Sequence, residues 1–415
     1  MPLDIQNETP RRPIVQEDWN AVYKKSRFVR LVDLHPGSDC NQVLATALAC
    51  YPPPCCLLPN VRSLHFDVSR FMGNQKPAFI AAFTMLLAPS ISSDLLKDLT
   101  IVRDHGDAEK SYEIYSPPLF KTFDTRWTHL ERTEMYICQY RPRLLATFAQ
   151  IPTLESLELH FHNPSLRKCD LACSSPSAVP AVWPLRSLGL HGLTPASVAG
   201  ALGSWQFPSL ERFAALSLFR SEVNELPGLL RVICDHMAPQ SLQQLLLRPM
   251  VSRHAPLNYE HIQPLAGFAR LSHVAISPLL GVLITDEEHA QVASWWPGLQ
   301  YLEFNSASVY DLSLYRMDTP ATLGCLAHYA RLCPDLQELH IPLTVRNMPR
   351  VPPDLLARTP AHPLSRLDVG DSPLDEACVE QTITFLRTLF PNVKRVAIQE
   401  NEWTDTWKSV CAALV

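Results

Sequence analysis

The chain has 415 residues, 47% of them hydrophobic and 19% charged, with a net charge of −5. This composition is that of a folded globular chain, and it provides neither a broad basic field for nucleic acid nor an apolar run long enough to cross a bilayer. The 37 prolines against 13 glycines predict many short units, because proline stops helices and opens turns.

Residues 1–17 are polar and carry prolines without an apolar core, so a poorly ordered start and no secretory signal are expected. A short helix is expected from Asp18-Trp19 to Lys25. It leads into Val29, Val32 and Leu34, the first copy of a spacing in which apolar residues stand at 0, +3 and +5. The second copy is Val61, Leu64, Phe66 after a helical 41–50, and the third is Leu96, Leu99, Ile101 after an apolar helix over 77–88. Residues 103–123 are polar and broken by proline, and an irregular fourth copy follows at Leu130 to Ile137.

From there the spacing recurs at Leu154, Leu157, Leu159, then Leu185, Leu188, Leu190, then Leu210, Phe213 with a shifted Leu216-x-Leu218. It continues through Leu242, Leu245, Leu247; Leu271, Val274, Ile276; Leu299, Leu302, Phe304; and Leu336, Leu339, Ile341. Leu364, Leu367, Val369 and Val393, Val396, Ile398 close the series. The stretch Leu323 to Ile341 is the clearest unit: an apolar helical stripe, a Cys333-Pro334 stop, then a strand. A surface loop is expected over 166–184, which is rich in Ser, Pro and Ala, and the closing segment 401–415 is expected to be a capping helix.

One helix and one strand cannot bury their own apolar surface, so each unit needs copies on either side. First positions 28 residues apart, as from Leu271 to Leu299 and from Leu336 to Leu364, suit leucine-rich repeats lengthened by full helices. The expected fold is therefore α/β: a leucine-rich-repeat solenoid, or horseshoe, with a parallel concave sheet and helices on the convex side. It is read as a single domain over 18–415 with helical end caps.

A strand alternates faces, so +3 and +5 point to the core and +2, +4 and +6 line the concave sheet. That register nominates His35, His65, Asp67, Glu158, His160, His191, His273, Tyr301, Glu303, Glu338, His340, Arg366 and Asp368 as partner-contacting residues. Histidines from several repeats on one face raise a metal or pH-sensitive site as the alternative; a solvated polar face is the reading adopted. Of Trp295 and Trp296, one is expected to plug the core and the other to lie at the surface. Asp286-Glu287-Glu288-His289 is a helix start whose acids suit the helix dipole. No paired C-x-x-C motifs, H-E-x-x-H, G-x-S-x-G or phosphate-binding glycine loop occurs, so no metal, cofactor or catalytic activity is expected. The 12 cysteines read as packed, reduced thiols.

Asp18-Trp19 with Val29-Arg30, Leu57-Leu58-Pro59-Asn60-Val61-Arg62-Ser63-Leu64 and Leu86-Leu87-Ala88-Pro89-Ser90-Ile91 occur in an order with a recognisable likeness. So do Trp296-Pro297-Gly298-Leu299, Cys333-Pro334-Asp335-Leu336, Leu367-Asp368-Val369-Gly370-Asp371-Ser372-Pro373 and Phe390-Pro391-Asn392-Val393. Over roughly residues 18–410 the chain resembles the F-box-type leucine-rich-repeat proteins abundant in basidiomycete fungi. The resemblance implies an N-terminal F-box docking on the Skp-type adaptor of a ubiquitin ligase, and repeats that select the substrate. The 17 residues before Asp18 hold no apolar helical hairpin, so an F-box and a Skp-type adaptor are not expected for this chain. The expected function is a protein-interaction module resembling the substrate-recognition half, with a free-standing scaffold as the alternative. Its partner, an unidentified protein, would sit on the concave face or the rim loops. The chain is expected to be a cytoplasmic or nuclear monomer that binds neither nucleic acid nor membrane.

Overall fold

A computed structural model describes residues 3–4, 9–10, 15–34, 58–67, 95–102, 128–137, 144–161, 181–218, 225–249, 256–278, 281–304, 319–345, 349, 361–398 and 403–414. The expected helices over 41–50 and 77–88 and the polar stretch 103–123 lie outside these residues. The chain divides into two compact units, Met1–Ser177 and Ala178–Val415, with the division inside the Ser, Pro and Ala-rich segment. Both are mixed α/β with parallel strands. No helix among the described residues is long and apolar enough to cross a membrane.

In the first unit, Leu3–Asp4 pairs antiparallel with Thr9–Pro10, ahead of helix α1 (Gln16–Ser26). Five strands then pair in parallel and in chain order: β1 (Leu31–Leu34), β2 (Ser63–Asp67), β3 (Asp98–Val102), β4 (Arg132–Ile137) and β5 (Ser156–Phe161). Helix α2 (Leu144–Ala149) precedes β5. The fourth copy is thus a full strand. Its +3 position is Thr133, buried between Leu99 and Leu157, and its +5 position is Met135, also buried.

In the second unit, eight strands pair in parallel and in chain order. They are β6 (Ser187–His191), β7 (Arg212–Leu218), β8 (Gln244–Pro249) and β9 (His273–Ile276), then β10 (Tyr301–Glu303), β11 (Glu338–His340), β12 (Arg366–Asp368) and β13 (Arg395–Ala397). The connecting helices are α3 (Pro195–Leu202), α4 (Glu225–His236), α5 (Tyr259–Ile262), α6 (Asp286–Trp295), α7 (Gly324–Leu332) and α8 (Val379–Leu389), with α9 (Thr404–Leu414) closing the chain. Neighbouring helices pack on each other, α3 on α4, α6 on α7 and α8 on α9. Leu302, Phe304, Leu339, Ile341, Leu367 and Val369, all +3 or +5 residues, are fully buried.

Five of the strands are entered through a shared turn. The N–H of the first apolar residue donates to the carbonyl three residues earlier, as in Val61 to Leu58 (3.3 Å), Leu154 to Ile151 (3.3 Å) and Leu299 to Trp296 (3.0 Å). Leu336 to Cys333 (3.2 Å) and Val393 to Phe390 (3.1 Å) repeat it. Pro59, Pro152, Pro297, Pro334 and Pro391 occupy the second turn position, where a φ fixed near −65° is favourable. The residue accepting the bond is buried in all five. The repeat therefore has a fourth apolar position, at −3, beyond the three that the spacing indicated. Trp296 fills it and is the core plug, while Trp295 is half-exposed.

Two expectations are corrected. The +5 residue of the Leu210 copy is Ala215, buried and paired with Leu247; the irregularity falls later, between Leu216 and Leu218. At the end of the expected 166–184 loop Trp183 alone leaves the surface: Ala181–Val182 is exposed and pairs with Trp205–Gln206, while Trp183 is buried against Trp205 and Phe207 at ring distances of 5.2 and 6.1 Å. An indole carries enough apolar area to seat itself in the core despite proline on both sides of the segment. At the C-terminal end, Trp407 is buried and its Nε1 donates to the Ser372 carbonyl at 2.9 Å.

Helix α6 shows why its acidic start needs no further chemistry. Thr285 and Glu288 form a reciprocal capping box, and Asp286 accepts from the Thr322 N–H at 2.7 Å and from its hydroxyl at 2.5 Å. His289 is core: burial, aided by His328, holds its imidazole down to about 3, and it shares a 2.8 Å hydrogen bond with the Tyr329 hydroxyl. Cys333 is buried, its thiol pushed up to about 12 by burial, and all five described cysteines are free thiols.

Thr133 Oγ1 is buried without a hydrogen-bond partner among the described residues. Thr133→Val should therefore raise the unfolding free energy by about 1 kcal/mol in denaturant titration. Leu339→Ala, which empties a fully buried site, should lower it by about 3 kcal/mol. A destabilising Thr133→Val would mean that the hydroxyl is satisfied after all.

Candidate functional site

Pairing fixes which side chains share a face. In the second unit the +2 row reads Ser187, Arg212, Gln244, His273, Tyr301, Glu338, Arg366, Arg395, and the +4 row reads Gly189, Ala214, Leu246, Ala275, Glu303, His340, Asp368, Ala397. This face, opposite the +3 and +5 residues, is partly open: its +2 row is half-buried or exposed, while Gly189, Ala214, Ala275 and His340 of the +4 row are buried, and its chemistry is concentrated on β8 to β12.

Glu303 is the hub. Arg248 and the Tyr301 hydroxyl both donate to its Oε2, and the buried Ser277 Oγ donates to Oε1 at 2.5 Å. Arg248 Nη2 also donates to the Tyr301 oxygen at 3.1 Å. Burial by itself would raise the Glu303 carboxyl; hydrogen bonds from Ser277 and Tyr301 and the Arg248 charge outweigh it and hold the carboxyl below the usual range. Tyr301 is pushed the other way, far above the ordinary phenol, by burial and by its bond to the carboxylate.

Beside this hub, His340 stands between two carboxylates. Its Nδ1 is 3.4 Å from Asp368 Oδ2 and its Nε2 is 3.4 Å from Glu338 Oε2, while Arg366 Nη1 is 3.6 Å from the same Glu338 oxygen. Burial pushes the Asp368 carboxyl up, but bonds from His340 and from the Gly370 N–H (3.0 Å) hold it below its ordinary range. Gly370 has a positive φ of 57°, the backbone conformation that suits glycine and that sets this donor in place. The Tyr301 ring lies between His273 (6.3 Å, 13° between planes) and His340 (5.2 Å, 42°). His273, held down by burial, favours the neutral ring.

In the first unit the open face holds His65 with Nδ1 2.8 Å from Asp33 Oδ1, and Arg132 Nε donating to Asp98 Oδ1 at 2.6 Å. His160 stacks on Tyr136 at 4.4 Å and 5°, with Nε2 3.3 Å from Glu134 Oε1 and 3.7 Å from Glu158 Oε1.

The nominated residues divide accordingly. In the first unit Glu158 and His160 come together while His65 stands apart beside Asp33, and in the second His273, Tyr301, Glu303, Glu338, His340, Arg366 and Asp368 come together. His35 lies outside the described residues, as does the Asp67 side chain, although its backbone belongs to β2. His191 is buried, and its Nδ1 accepts the Leu216 N–H at 3.0 Å, so it ties the irregular end of β7 rather than facing outward. His340 is 7% exposed and acts through its neighbours. Arg132, Glu134, Tyr136 and Ser277 were missed. The first three follow once Thr133 is accepted as a +3 residue, and Ser277 is the +6 position of its own copy.

These side chains are arranged to hold one another still. The carboxylates accept from several fixed donors, and the hydroxyls and rings are engaged, which makes a pre-ordered polar surface. No protein-family model matches the chain, and no curated protein is similar to it.

Breaking the hub has a pH signature. Glu303, held low when folded, contributes stability above the ordinary carboxylate range that is lost as pH falls through its folded value. Arg248→Met should cost about 1–2 kcal/mol at neutral pH, discounted because the guanidinium is half-exposed, and the deficit should shrink on acidification. Parallel stability curves down to acid pH would contradict that coupling.

Proposed function

We propose that the chain is a protein-interaction module, built as a leucine-rich-repeat solenoid whose open sheet face recognises a partner protein. The observation that carries this reading is the pre-ordered cluster Arg248–Tyr301–Glu303–His340–Asp368. Tyrosine and arginine are the residues in which binding energy most often concentrates, and side chains already fixed lose little freedom when a partner docks. Parallel strands joined by helices also give a wide, stiff surface on which a few exposed positions can vary without disturbing the core.

By resemblance to the F-box-type repeat proteins, the partner would be a ubiquitylation substrate; the alternative is a free-standing scaffold with no ligase link. Recovery of a Skp-type adaptor with the purified chain separates these, since adaptor recovery favours the first reading, and partner retention without adaptor favours the second.

Replacing His65, His160 and Tyr301 together by alanine should weaken capture of the partner about tenfold or more while circular dichroism and thermal unfolding still report a folded chain. Undiminished capture by a folded triple variant would remove the open face from the interaction.

A further inference from the structure

Two guanidiniums on the open face of the second unit stand outside the bonding that fixes the rest of it. Arg366 on β12 and Arg395 on β13 lie directly opposite each other in register, a placement in which like charges repel. Arg366 Nη1 comes only to 3.6 Å from Glu338 Oε2, and its Nε is buried with no acceptor among the described residues. Buried N–H groups are nearly always bonded, and an unmet one is costly. Arg395 is exposed, and among the described residues its side chain has neither an ion pair nor a hydrogen bond. Arg248, with the same chemistry, is bonded to both Tyr301 and Glu303. The nearby acids are committed elsewhere. Glu338 reaches Arg366 from β11, on the side away from β13, and Asp368 faces His340 and the Gly370 N–H. The +4 residue of β13 is Ala397, so that strand brings no acid of its own to the face.

We propose that Arg366 and Arg395 together receive a carboxylate side chain from an acidic segment of the partner protein, an inference that rests on the interaction reading above. A carboxylate supplies what the pair lacks. It places negative charge between two like charges, and each of its two oxygens accepts N–H groups. The flat, forked guanidinium matches that geometry, and two of them on neighbouring strands can hold one carboxylate from both sides. The incoming group enters on the side toward β13, because Glu338 occupies the other.

The test is fluorescence anisotropy of a labelled Glu/Ser peptide with the full chain, beside the same peptide with Gln for Glu and a Lys/Ser peptide of equal length. The acidic peptide should bind, the other two should not, and raising salt from about 0.05 M to about 0.5 M should weaken binding at least tenfold. Arg395→Gln, at an exposed position where folding is not at stake, should lose about tenfold, and Arg366→Gln as much. Lys408→Gln on α9 should bind as wild type. Wild-type affinity in Arg395→Gln, equal binding of the Gln or Lys peptide, or no binding of the acidic one overturns the proposal. So does binding of inorganic phosphate by the pair without binding of the acidic peptide. If the natural partner is retained by Arg395→Gln yet lost by the His65/His160/Tyr301 variant, the interaction reading stands and only the acidic occupant fails.

Discussion

One hydrogen-bonding arrangement holds the repeats in register. The carbonyl of the residue just after the first apolar position accepts two N–H groups from the next copy. Arg62 and Ser63 converge on Arg30 at 2.8 and 3.1 Å, Glu131 and Arg132 on Lys97 at 2.8 and 2.9 Å, and Gln337 and Glu338 on Gln300 at 2.8 and 3.2 Å. A carbonyl has two lone pairs, so the arrangement satisfies acceptor and donors together. A one-residue slip would send every leucine of a strand to the open face. Register, core and the open sheet face therefore all depend on this contact.

The turn that feeds five of the strands works toward the same end. In these five, proline at the second position fixes the approach, and the buried residue at −3 anchors the turn to the core, so chemically different side chains can share one role. Leu58, Ile151, Trp296, Cys333 and Phe390 all occupy it. That explains why a cysteine beside a proline is a packing residue here. Its thiol, raised by burial, points to the Ala293 and Trp296 carbonyls at 3.5 and 3.7 Å.

Much of this is legible in the sequence because the leucine spacing encodes strand, face and order at once. Each of the thirteen copies read from it coincides with a parallel strand, and the +2, +4 and +6 assignment placed Tyr301, Glu303, Glu338, Arg366 and Asp368 on one face. What escaped has physical causes. Thr133, between Leu99 and Leu157, and Ala215, beside Leu247, occupy core positions though one is polar and the other small. Trp183 entered the core from a segment whose composition spoke only of a loop. The burial of His191 and His340 depends on what stands across the sheet and beyond the strand end, which no single repeat specifies. The convergence of Arg248, Ser277 and Tyr301 on Glu303 joins residues from three copies and appears only when the copies are set side by side.

The central claim is that, within each unit, every copy, regular or not, is tied to the next through the same doubly bonded carbonyl. Native-state hydrogen exchange reads it directly. The amides of Glu131 and Arg132, in the copy whose sequence fits the spacing least well, should exchange as slowly relative to their own unit's core as those of Gln337 and Glu338 do relative to theirs. Rapid exchange at Glu131 and Arg132 alongside protected amides in β3 and β5 would show that the fourth copy is not joined in this way, and would contradict the account.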